Sequence, residues 1–290
     1  MEIKVLLSTF NGEKYIQEQL DSILSQKIDN DKINLIIRDD GSSDGTEKIL
    51  RKYMNIYPDI IQVYFENNIG WMNSFIRLLY LAGPADYYAY CDQDDIWKDD
   101  KLKRAINMLC EANGPALYCG AAEMVDDNMK IIGVFGCDST FDIVNTIIKC
   151  QTIGCTQVFN AKLFDYVKKI PPMQDIPHDW WTVCVALLVG TVWSDGESHM
   201  FYRQHSANVF GGKGAWYKRV KRIISDKSHK REKLSRVLLE NLHVDNVFLG
   251  AISEYRYDKQ KKKYLLKLKN DNVPFFNNIF FKVFILFNKI

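Results

Sequence analysis

Three carboxylates lie within four residues of this sequence, at Asp92, Asp94 and Asp95. They follow the apolar run 86–91, whose composition predicts a buried strand. Like charges this close repel one another, so they need a cation or a bound partner. An Asp-x-Asp pair at a strand end suits a divalent metal whose remaining ligands are substrate phosphates. The alternative is a solvated acidic turn before a helix that begins near Lys98.

The elements that position this acidic loop alternate between strand and helix. A β-α-β-α-β-α-β order predicts an α/β fold with a parallel sheet covered on both faces. Because parallel strands share one carboxyl edge, Asp39 and Asp40 after the second strand would lie beside the Asp92 loop. The predicted strands are 3–8, 33–38, 60–65 and 86–91, and the predicted helices include residues 16–24, 49–54 and 71–81.

The composition is that of a globular protein, with 47 % hydrophobic residues among 290. This length suffices for one large domain with an appended unit. The N-terminus has no basic segment before a long apolar stretch, and the seven cysteines form no CxxC or metal-type pairing. We therefore expect no signal peptide, reduced thiols and a cytoplasmic location.

Charge divides the chain unevenly. Residues 1–212 contain 19 basic and 29 acidic residues, whereas residues 213–290 contain 19 basic and 7 acidic residues. This predicts an acidic catalytic domain over 1–212 and a basic, aromatic-rich helical region over 213–290. The aromatic end, residues 275–287, is too short to span a bilayer. It predicts an interfacial helix on an anionic membrane, or else a helical cap or dimer interface.

Several ligand-binding classes do not fit the sequence. Residues 8–12 after the first strand contain one glycine rather than G-x-G-x-x-G, and no GxxxxGK[ST] occurs. An EF-hand loop starting at Asp92 would place Trp97 where glycine is required and Lys103 where the bidentate Glu belongs. No recognition motif accompanies the basic residues, so no nucleic-acid partner is expected.

Several segments, taken in order, resemble family 2 glycosyltransferases of the GT-A fold. The resemblance is strongest to the bacterial rhamnosyltransferase-like branch that builds cell-wall and capsular polysaccharides. It implies a Rossmann-like, mainly parallel sheet with helices on both faces, followed by the C-terminal basic helical extension. The segments are residues 8–12, 39–46, 68–70, 92–97 with Lys101 and Leu102, 152–160, 178–181 and 202–208.

The resemblance implies an inverting, metal-dependent transfer of rhamnose or another hexose from a dTDP- or UDP-sugar. The acceptor would be a saccharide, expected to be lipid-linked, and the cofactor Mn²⁺ or Mg²⁺. The C-terminal region would hold the enzyme on the inner face of the cell membrane. One alternative is a sugar nucleotidyltransferase, which would need a Gly- and Arg/Lys-rich loop that residues 8–12 lack. The other is a non-catalytic carbohydrate-binding or scaffold protein.

By the same resemblance, the metal and the leaving diphosphate have candidate partners. Asp94 would bind the metal, with His205 as a further ligand of the metal or the diphosphate. Asp92 would face the ribose or the metal, and Asp95 would support the site from behind. Arg203 would neutralise phosphate. For His205 and Arg203 the alternative is an ordinary surface or loop residue.

The nucleoside also has candidate partners. Asp40 would accept a hydrogen bond from the imide of uracil or thymine, because a carboxylate only accepts. Asp39 is the alternative for this contact, or a turn residue. Ser8 and Asn11 would line the same pocket, and Phe10 stands where the family often has tyrosine.

A general base must remove the proton of the acceptor hydroxyl. Asp179 matches the family's base and opens a predicted helix, whose dipole favours the charged form. The alternative for Asp179 is a simple helix cap, and His178 is a lesser candidate for proton transfer. Trp180 or Trp181 could form a platform for a sugar ring, but two adjacent residues on a helix cannot both face one site.

Overall fold

This computed structural model describes residues 1–28, 32–136, 141–170, 176–205, 229–268, 275–286 and 288. The described residues form nine strands, eleven α-helices and a 3₁₀ turn at Gly154–Thr156. The strands are β1 (Glu2–Thr9), β2 (Lys32–Asp39), β3 (Ile61–Phe65), β4 (Tyr87–Cys91), β5 (Ile96–Trp97), β6 (Ala116–Val125), β7 (Ile131–Phe135), β8 (Gln157–Asn160) and β9 (Thr191–Arg203). The helices are α1 (Ile16–Leu24), α2 (Thr46–Ile56), α3 (Trp71–Leu81), α4 (Lys101–Leu109), α5 (Ile143–Ile148), α6 (Ala161–Val167), α7 (His178–Val189), α8 (Lys230–Leu242), α9 (Val247–Glu254), α10 (Lys259–Lys267) and α11 (Phe275–Leu286).

The strands join in one mixed sheet in the order β3-β2-β1-β4-β8-β6-β9-β5, with β7 beside β6. Strands β1 to β4 are parallel, as their alternation with helices predicts. Beyond them β8 pairs antiparallel with both β4 and β6, whereas β6 and β9 are parallel. The predicted α/β class is confirmed. The antiparallel pairs all involve strands that follow β4 in the chain, namely β5 with β9, β6 with β7, and β8 with β4 and β6.

The register of the parallel strands brings the predicted site together. Thr9 at the end of β1 lies opposite Asp39 at the end of β2, and Leu7 lies opposite Cys91 at the end of β4. The loops after β1, β2 and β4 therefore leave the sheet at the same edge. The two acid clusters therefore lie at the same edge of the sheet, on either side of the end of β1.

The core forms because each element buries one apolar face. The fully buried residues of β1 include Ile3, Val5 and Leu7. They share one apolar cluster with Ile16, Leu20 and Ile23 of α1, which are also fully buried. Cys91, expected to be a strand filler, is fully buried within the same cluster.

The chain divides into two compact units, Met1–Ser139 with Thr152–His205, and Thr140–Gln151 with Ser206–Ile290. The predicted boundary between residues 212 and 213 lies outside the described residues, as do residues 206–208 of the closing motif. The predicted C-terminal helices are present as α8 to α11.

Within the second unit, the helices pack around a core of their own. Arg231 donates to the carbonyl oxygens of Ile147 and Ile148, which ties α8 to the end of α5. None of the described helices has the length and apolar character needed to cross a membrane. The buried apolar residues of this unit include Leu234, Leu238, Phe248, Leu249, Ile252, Tyr255, Leu265, Phe281, Phe284 and Ile285.

Candidate functional site

The acidic loop after β4 places its carboxylates at different depths. Asp95 is fully buried, whereas Asp92 and Asp94 are partly exposed. Burial raises the pKa of Asp92 to about 7, and the charges of Asp94 and Asp179 act in the same direction. Burial, with the charges of Asp94 and Asp92, raises the pKa of Asp95 well above its ordinary value. Both shifts mark a place where a cation would be stabilised.

His205 reaches this loop from beyond the end of β9. Its Nε2 lies 2.8 Å from Oδ2 of Asp94, so the two predicted metal ligands are neighbours in the structure. The ring of Tyr15 stacks on the imidazole, with 4.9 Å between ring centres and 20° between planes. Sequence reasoning did not identify Tyr15, because nothing in the pattern of α1 shows which distant segment its ring contacts.

Arg203, predicted to neutralise phosphate, is tied into the same loop. Its Nε donates to the carbonyl oxygen of Asp94 at 3.0 Å, and its backbone N–H donates to Oδ1 of Asp95 at 3.2 Å. Its Nη2 donates to Glu18 at 2.6 Å. These bonds hold the end of β9 against the acidic loop. The contact of Arg203 with phosphate stays a prediction.

Lys101 is a buried cation beside the acidic loop, with 2 % of its surface exposed. Its ammonium group donates to the carbonyl oxygen of Cys155 and lies 3.9 Å from the centre of the Trp97 ring. Burial lowers the pKa of this lysine, and the charges of Asp95 and Asp92 oppose that change. The sequence placed Lys101 in a family segment, but a lysine in a first helical turn ordinarily faces solvent.

The residues around the loop fit the expected divalent metal. Asp92, Asp95 and Cys155 offer ligand atoms within 4.8 Å of one another. Oδ2 of Asp95 is buried with no hydrogen-bond partner among the described residues. Carboxylate oxygen suits Mn²⁺ and Mg²⁺, imidazole suits transition metals, and thiol suits softer ions. The acidic loop therefore offers a divalent metal buried oxygen ligands, and the assignment of the metal to Asp94 and His205, with Asp92 beside them, stays a prediction.

Asp40 anchors two segments at the end of β2. Its carboxylate accepts from Nη1 of the buried Arg38 at 2.5 Å. It also accepts from the backbone N–H groups of Ile69 at 2.7 Å and Gly70 at 2.9 Å. Gly70 has a φ of +81°, which glycine adopts without strain. Asp40 thus shapes the wall of the predicted nucleoside pocket, and its contact with a base stays a prediction.

The other predicted nucleotide residues lie at the ends of β1 and β2 or in the loop after β1. Asp39 accepts from the Ser42 hydroxyl at 2.5 Å and from the Ser42 backbone N–H at 3.0 Å. Asn11, with a φ of +49°, accepts from the backbone N–H of residue 43 at 2.8 Å. The hydroxyl oxygens of Ser8 and Ser74 are 2.6 Å apart. The hydrogen bond of Asn11 therefore joins the loop after β1 to the loop after β2, and the contact of Ser8 joins β1 to α3.

Gln93 links the loop after β1 to the acidic loop, a role that sequence reasoning missed. Its Oε1 accepts from the Thr9 hydroxyl at 2.7 Å and from the backbone N–H of Phe10 at 2.8 Å. A Cβ atom at Gly12 would lie 2.4 Å from this oxygen, which gives a reason for glycine there. The amide side chain of Gln93 thus joins the loop that contains Asn11 to the loop that contains Asp92 and Asp94.

Asp179 lies in the first turn of α7, as predicted. Its Oδ1 accepts from the backbone N–H of Trp180 at 2.8 Å, and the backbone N–H of Gly154 also hydrogen-bonds to it. Burial raises the pKa of this carboxyl to about 6. Such a group is ionised at neutral pH yet accepts a proton readily, which suits a general base.

His178 lies against aromatic rings rather than in a polar site. Its ring stacks on Phe75 with 3.8 Å between centres and meets Tyr90 edge-on at 4.5 Å. Burial lowers its pKa to about 3, so the imidazole stays neutral. Among the described residues neither ring nitrogen has a hydrogen-bond partner. This environment favours Asp179 over His178 as the base.

The two adjacent tryptophans of α7 have different surroundings. Trp181 is fully buried and its indole N–H donates to the carbonyl oxygen of Val167 at 3.1 Å. Trp180 is 8 % exposed. Both tryptophans are therefore buried, which agrees with the expectation that at least one belongs to the core, and the contact of Trp180 with a sugar stays a prediction.

Solved structures share this fold. The structure of Staphylococcus aureus TarS residues 1–349 in complex with UDP-GlcNAc has a TM-score of 0.60 and 18 % identity, and the match covers 93 % of this chain and 76 % of that one. The mannosyltransferase PcManGT from Pyrobaculum calidifontis, in complex with GDP-Man and Mn²⁺, has a TM-score of 0.55 and 15 % identity, with 99 % and 88 % covered. The predicted GT-A fold is confirmed.

Sequence relatives establish the family. The sequence model described as Glycosyl transferase family 2 matches residues 4–135. The dTDP-rhamnosyl transferase RfbG of Shigella flexneri is 31 % identical over 256 residues, which cover 83 % of this chain and 87 % of RfbG. A match of this extent confirms the predicted transferase class over the two alternatives. The chain belongs to glycosyl transferase family 2 and is a glycosyltransferase.

Proposed function

We propose that this enzyme transfers a hexose, with inversion and with a divalent metal, from a dTDP- or UDP-sugar to a saccharide acceptor. The main support is a short series of contacts between the proposed base and the acidic loop. The backbone N–H of Gly154 hydrogen-bonds to Asp179, and the thiol of the next residue, Cys155, lies within 4.8 Å of carboxylate oxygens of Asp92 and Asp95. The base and the acidic loop therefore both contact the segment 154–155. RfbG is named a dTDP-rhamnosyl transferase, so dTDP-rhamnose is the first donor to test.

The reaction is a single displacement. The acceptor hydroxyl oxygen attacks the anomeric carbon and forms the new C–O bond. The bond from that carbon to the diphosphate oxygen breaks, and its electron pair leaves with the nucleoside diphosphate. The hydroxyl proton passes to the carboxylate of Asp179, which Gly154 and the start of α7 hold in place. Attack opposite the leaving group inverts the anomeric centre.

Different residues would bind the leaving diphosphate and the nucleoside. Asp94 and His205 would hold Mn²⁺ or Mg²⁺, with Asp92 and Asp95 beside them. When bound, the metal neutralises the charge that develops on the diphosphate. The residues that would line the nucleoside pocket are Ser8, Asn11 and Asp40, with Asp39 as the alternative contact to the base.

Thermal unfolding with a panel of nucleotides and nucleotide sugars, each with Mn²⁺ and with EDTA, tests the donor site. A ligand that binds only the folded chain raises the melting temperature, and the stabilisation grows with the logarithm of the ligand concentration relative to its dissociation constant. We expect a metal-dependent shift with dTDP- or UDP-sugars that disappears in Asp94→Ala. The matched control is Asp99→Ala, because Asp99 is exposed and pairs with Lys27. No shift with any nucleotide would contradict the proposal.

We also propose that the acceptor is lipid-linked and that the second unit contacts the membrane surface. In α11, Phe281, Phe284 and Ile285 are buried, and the centre of the Phe281 ring lies 6.3 Å from that of the Phe248 ring in the same unit. Ile279 and Phe280 remain 43 % and 36 % exposed. Exposed lysines at positions 259, 263 and 267 on α10 belong to the same unit. Exposed apolar and basic side chains together favour an anionic lipid surface.

Vesicle sedimentation tests this contact. We expect binding to phosphatidylglycerol vesicles and little to phosphatidylcholine, with a loss on the double change Ile279→Ser and Phe280→Ser. The matched control changes Ile131→Ser and Ile132→Ser, because these β7 residues are 54 % and 55 % exposed in the other unit. Equal binding by both double variants would contradict the assigned surface and leave the donor-site proposal unaffected.

A further inference from the structure

We infer that Tyr15 is a positioning residue for the metal ligand His205, and that Asp127 holds Tyr15 in place. This inference rests on the proposed metal role of His205. The Tyr15 ring stacks on the imidazole at 4.9 Å, while the same imidazole lies 2.8 Å from Asp94. The guanidinium of Arg203 lies 4.8 Å from the centre of the Tyr15 ring. One ring therefore contacts two side chains of the segment that reaches the acidic loop.

Asp127 fixes the far end of the Tyr15 side chain. The phenol donates to Oδ1 of Asp127 at 2.6 Å, and the ammonium of Lys14 lies 3.3 Å from the same oxygen. The hydrogen bond from Tyr15 is the first cause that holds the pKa of Asp127 below its ordinary value. Asp127 belongs to the turn between β6 and β7, where Asp126 accepts from the backbone N–H groups of residues 128 and 130. Tyr15 thus rests on an ordered turn.

The position of His205 explains why such support matters. The backbone N–H of Gln204 donates to the carbonyl oxygen of Val125 at 2.7 Å, which carries sheet pairing to the residue before His205. The imidazole itself lies past β9, so its direction depends on side-chain contacts. A stacked ring restricts the imidazole to orientations that keep Nε2 at Asp94. Groups that orient a metal-bound histidine commonly change metal affinity by about 10- to 100-fold.

Titration of the full-length chain with Mn²⁺ alone, followed by the paramagnetic resonance signal of free Mn²⁺, tests the inference. Tyr15→Leu removes the ring and should raise the Mn²⁺ dissociation constant roughly fivefold to tenfold. Tyr15→Phe keeps the ring and loses the bond to Asp127, so about a twofold rise is expected, as for Asp127→Ala. His205→Ala should weaken binding more than any of these. At saturating Mn²⁺ the kcat of Tyr15→Leu should stay near that of the wild type.

The control is Tyr57→Leu. Tyr57 also contacts an aromatic ring, with 6.2 Å between its centre and that of Tyr53, but it lies after α2 and before β3, at the other edge of the sheet. The Mn²⁺ dissociation constant of Tyr57→Leu should equal that of the wild type. If wild type binds Mn²⁺ and Tyr15→Leu binds it as tightly, the inference alone is overturned. If wild type binds no Mn²⁺, the proposed metal role falls as well.

Melting temperatures separate this effect from misfolding. If Tyr15→Leu does not fold, the affinities of Tyr15→Phe and Asp127→Ala decide the question. Asp127 is 48 % exposed and Tyr15→Phe deletes one oxygen, so both variants should fold. Wild-type affinity in both of them would overturn the inference.

Discussion

The backbone of Gly154 lies so close to His178 that a Cβ atom there would be 2.7 Å from Nε2 of the imidazole. The same Cβ would lie 3.4 Å from that of Asp179. His178 cannot retreat easily, because it stacks on Phe75. Gly154→Ala should therefore displace the start of α7 and lower kcat by about 10- to 100-fold. Steady-state kinetics with the cognate donor would measure the loss.

The control for this change is Gly114→Ala, because a Cβ at Gly114 would meet nothing within 4 Å. We expect wild-type kcat for Gly114→Ala and a lower melting temperature for Gly154→Ala, since overpacking commonly costs about 1–3 kcal/mol. Equal kcat in both variants would show that the base does not depend on the close approach of Gly154.

The activity should fall on the acid side with an apparent pKa near 6. Burial raises the pKa of Asp179 to about 6, and a base must be unprotonated to accept the acceptor proton. Activity is thus full above this pKa and is lost as the pH falls through it. A profile of kcat from pH 5 to 9 at saturating metal measures this limb.

Asp179→Asn supplies the comparison for this profile. It should lower kcat by about 10²- to 10⁴-fold and remove the fall of kcat near pH 6 that protonation of Asp179 causes. A variant that keeps both wild-type kcat and the limb near pH 6 would assign the base to another residue.

The sequence sufficed for the half of the sheet that consists of repeated strand-helix units. Each of those strands is a short apolar run and each helix has a clear apolar face, so local pattern determines the elements. The placement of Asp39 and Asp92 at the same edge of the sheet follows from parallel topology alone. The same reasoning does not give the pairing of β6 with β8 and β9, since that depends on register between segments far apart in the chain.

Site residues that the sequence did not identify were missed for the same reason, because their roles depend on contacts between distant segments. Tyr15, Gln93 and Lys101 look like ordinary helix or loop residues in the sequence. Their roles come from partners up to 190 positions away, such as His205 for Tyr15. Burial of a charged group such as Lys101 leaves no local pattern, because the composition around it is that of any helix start. The contacts of Asp40, Asp179 and Arg203 with substrate stay predictions.

Two carboxylates on one guanidinium should differ in their contribution to stability. Arg38 is buried and bonds Asp40 at 2.5 Å, and the second carboxylate that it bonds is that of Glu66, whose side chain is 30 % exposed. Asp40→Asn removes a buried charge from Arg38 and should lower the free energy of unfolding by about 3 kcal/mol. Glu66→Gln should cost about 1 kcal/mol or less, because water screens that pair.

Urea unfolding of the two variants measures this difference. The melting temperature of Asp40→Asn should also be measured with and without dTDP or UDP, because the Asp40 carboxylate is predicted to contact the thymine or uracil ring. Equal destabilisation by both changes would show that burial of the Arg38–Asp40 pair does not control its strength.

The acidic loop should make stability depend on pH when metal is removed by EDTA. Burial raises the pKa of Asp92 to about 7, above the ordinary value of 3.8 that the unfolded chain has. The folded chain therefore binds more protons than the unfolded chain between these values, so stability falls as pH rises from about 4 to about 7. Asp92→Asn removes the titrating carboxyl and with it this dependence of stability on pH. The melting temperature of the variant should therefore exceed that of wild type at pH 8, and the two melting temperatures should converge near pH 4. Calorimetry across this range measures the slopes, and identical slopes would mean that Asp92 is ionised in the folded chain already near pH 4.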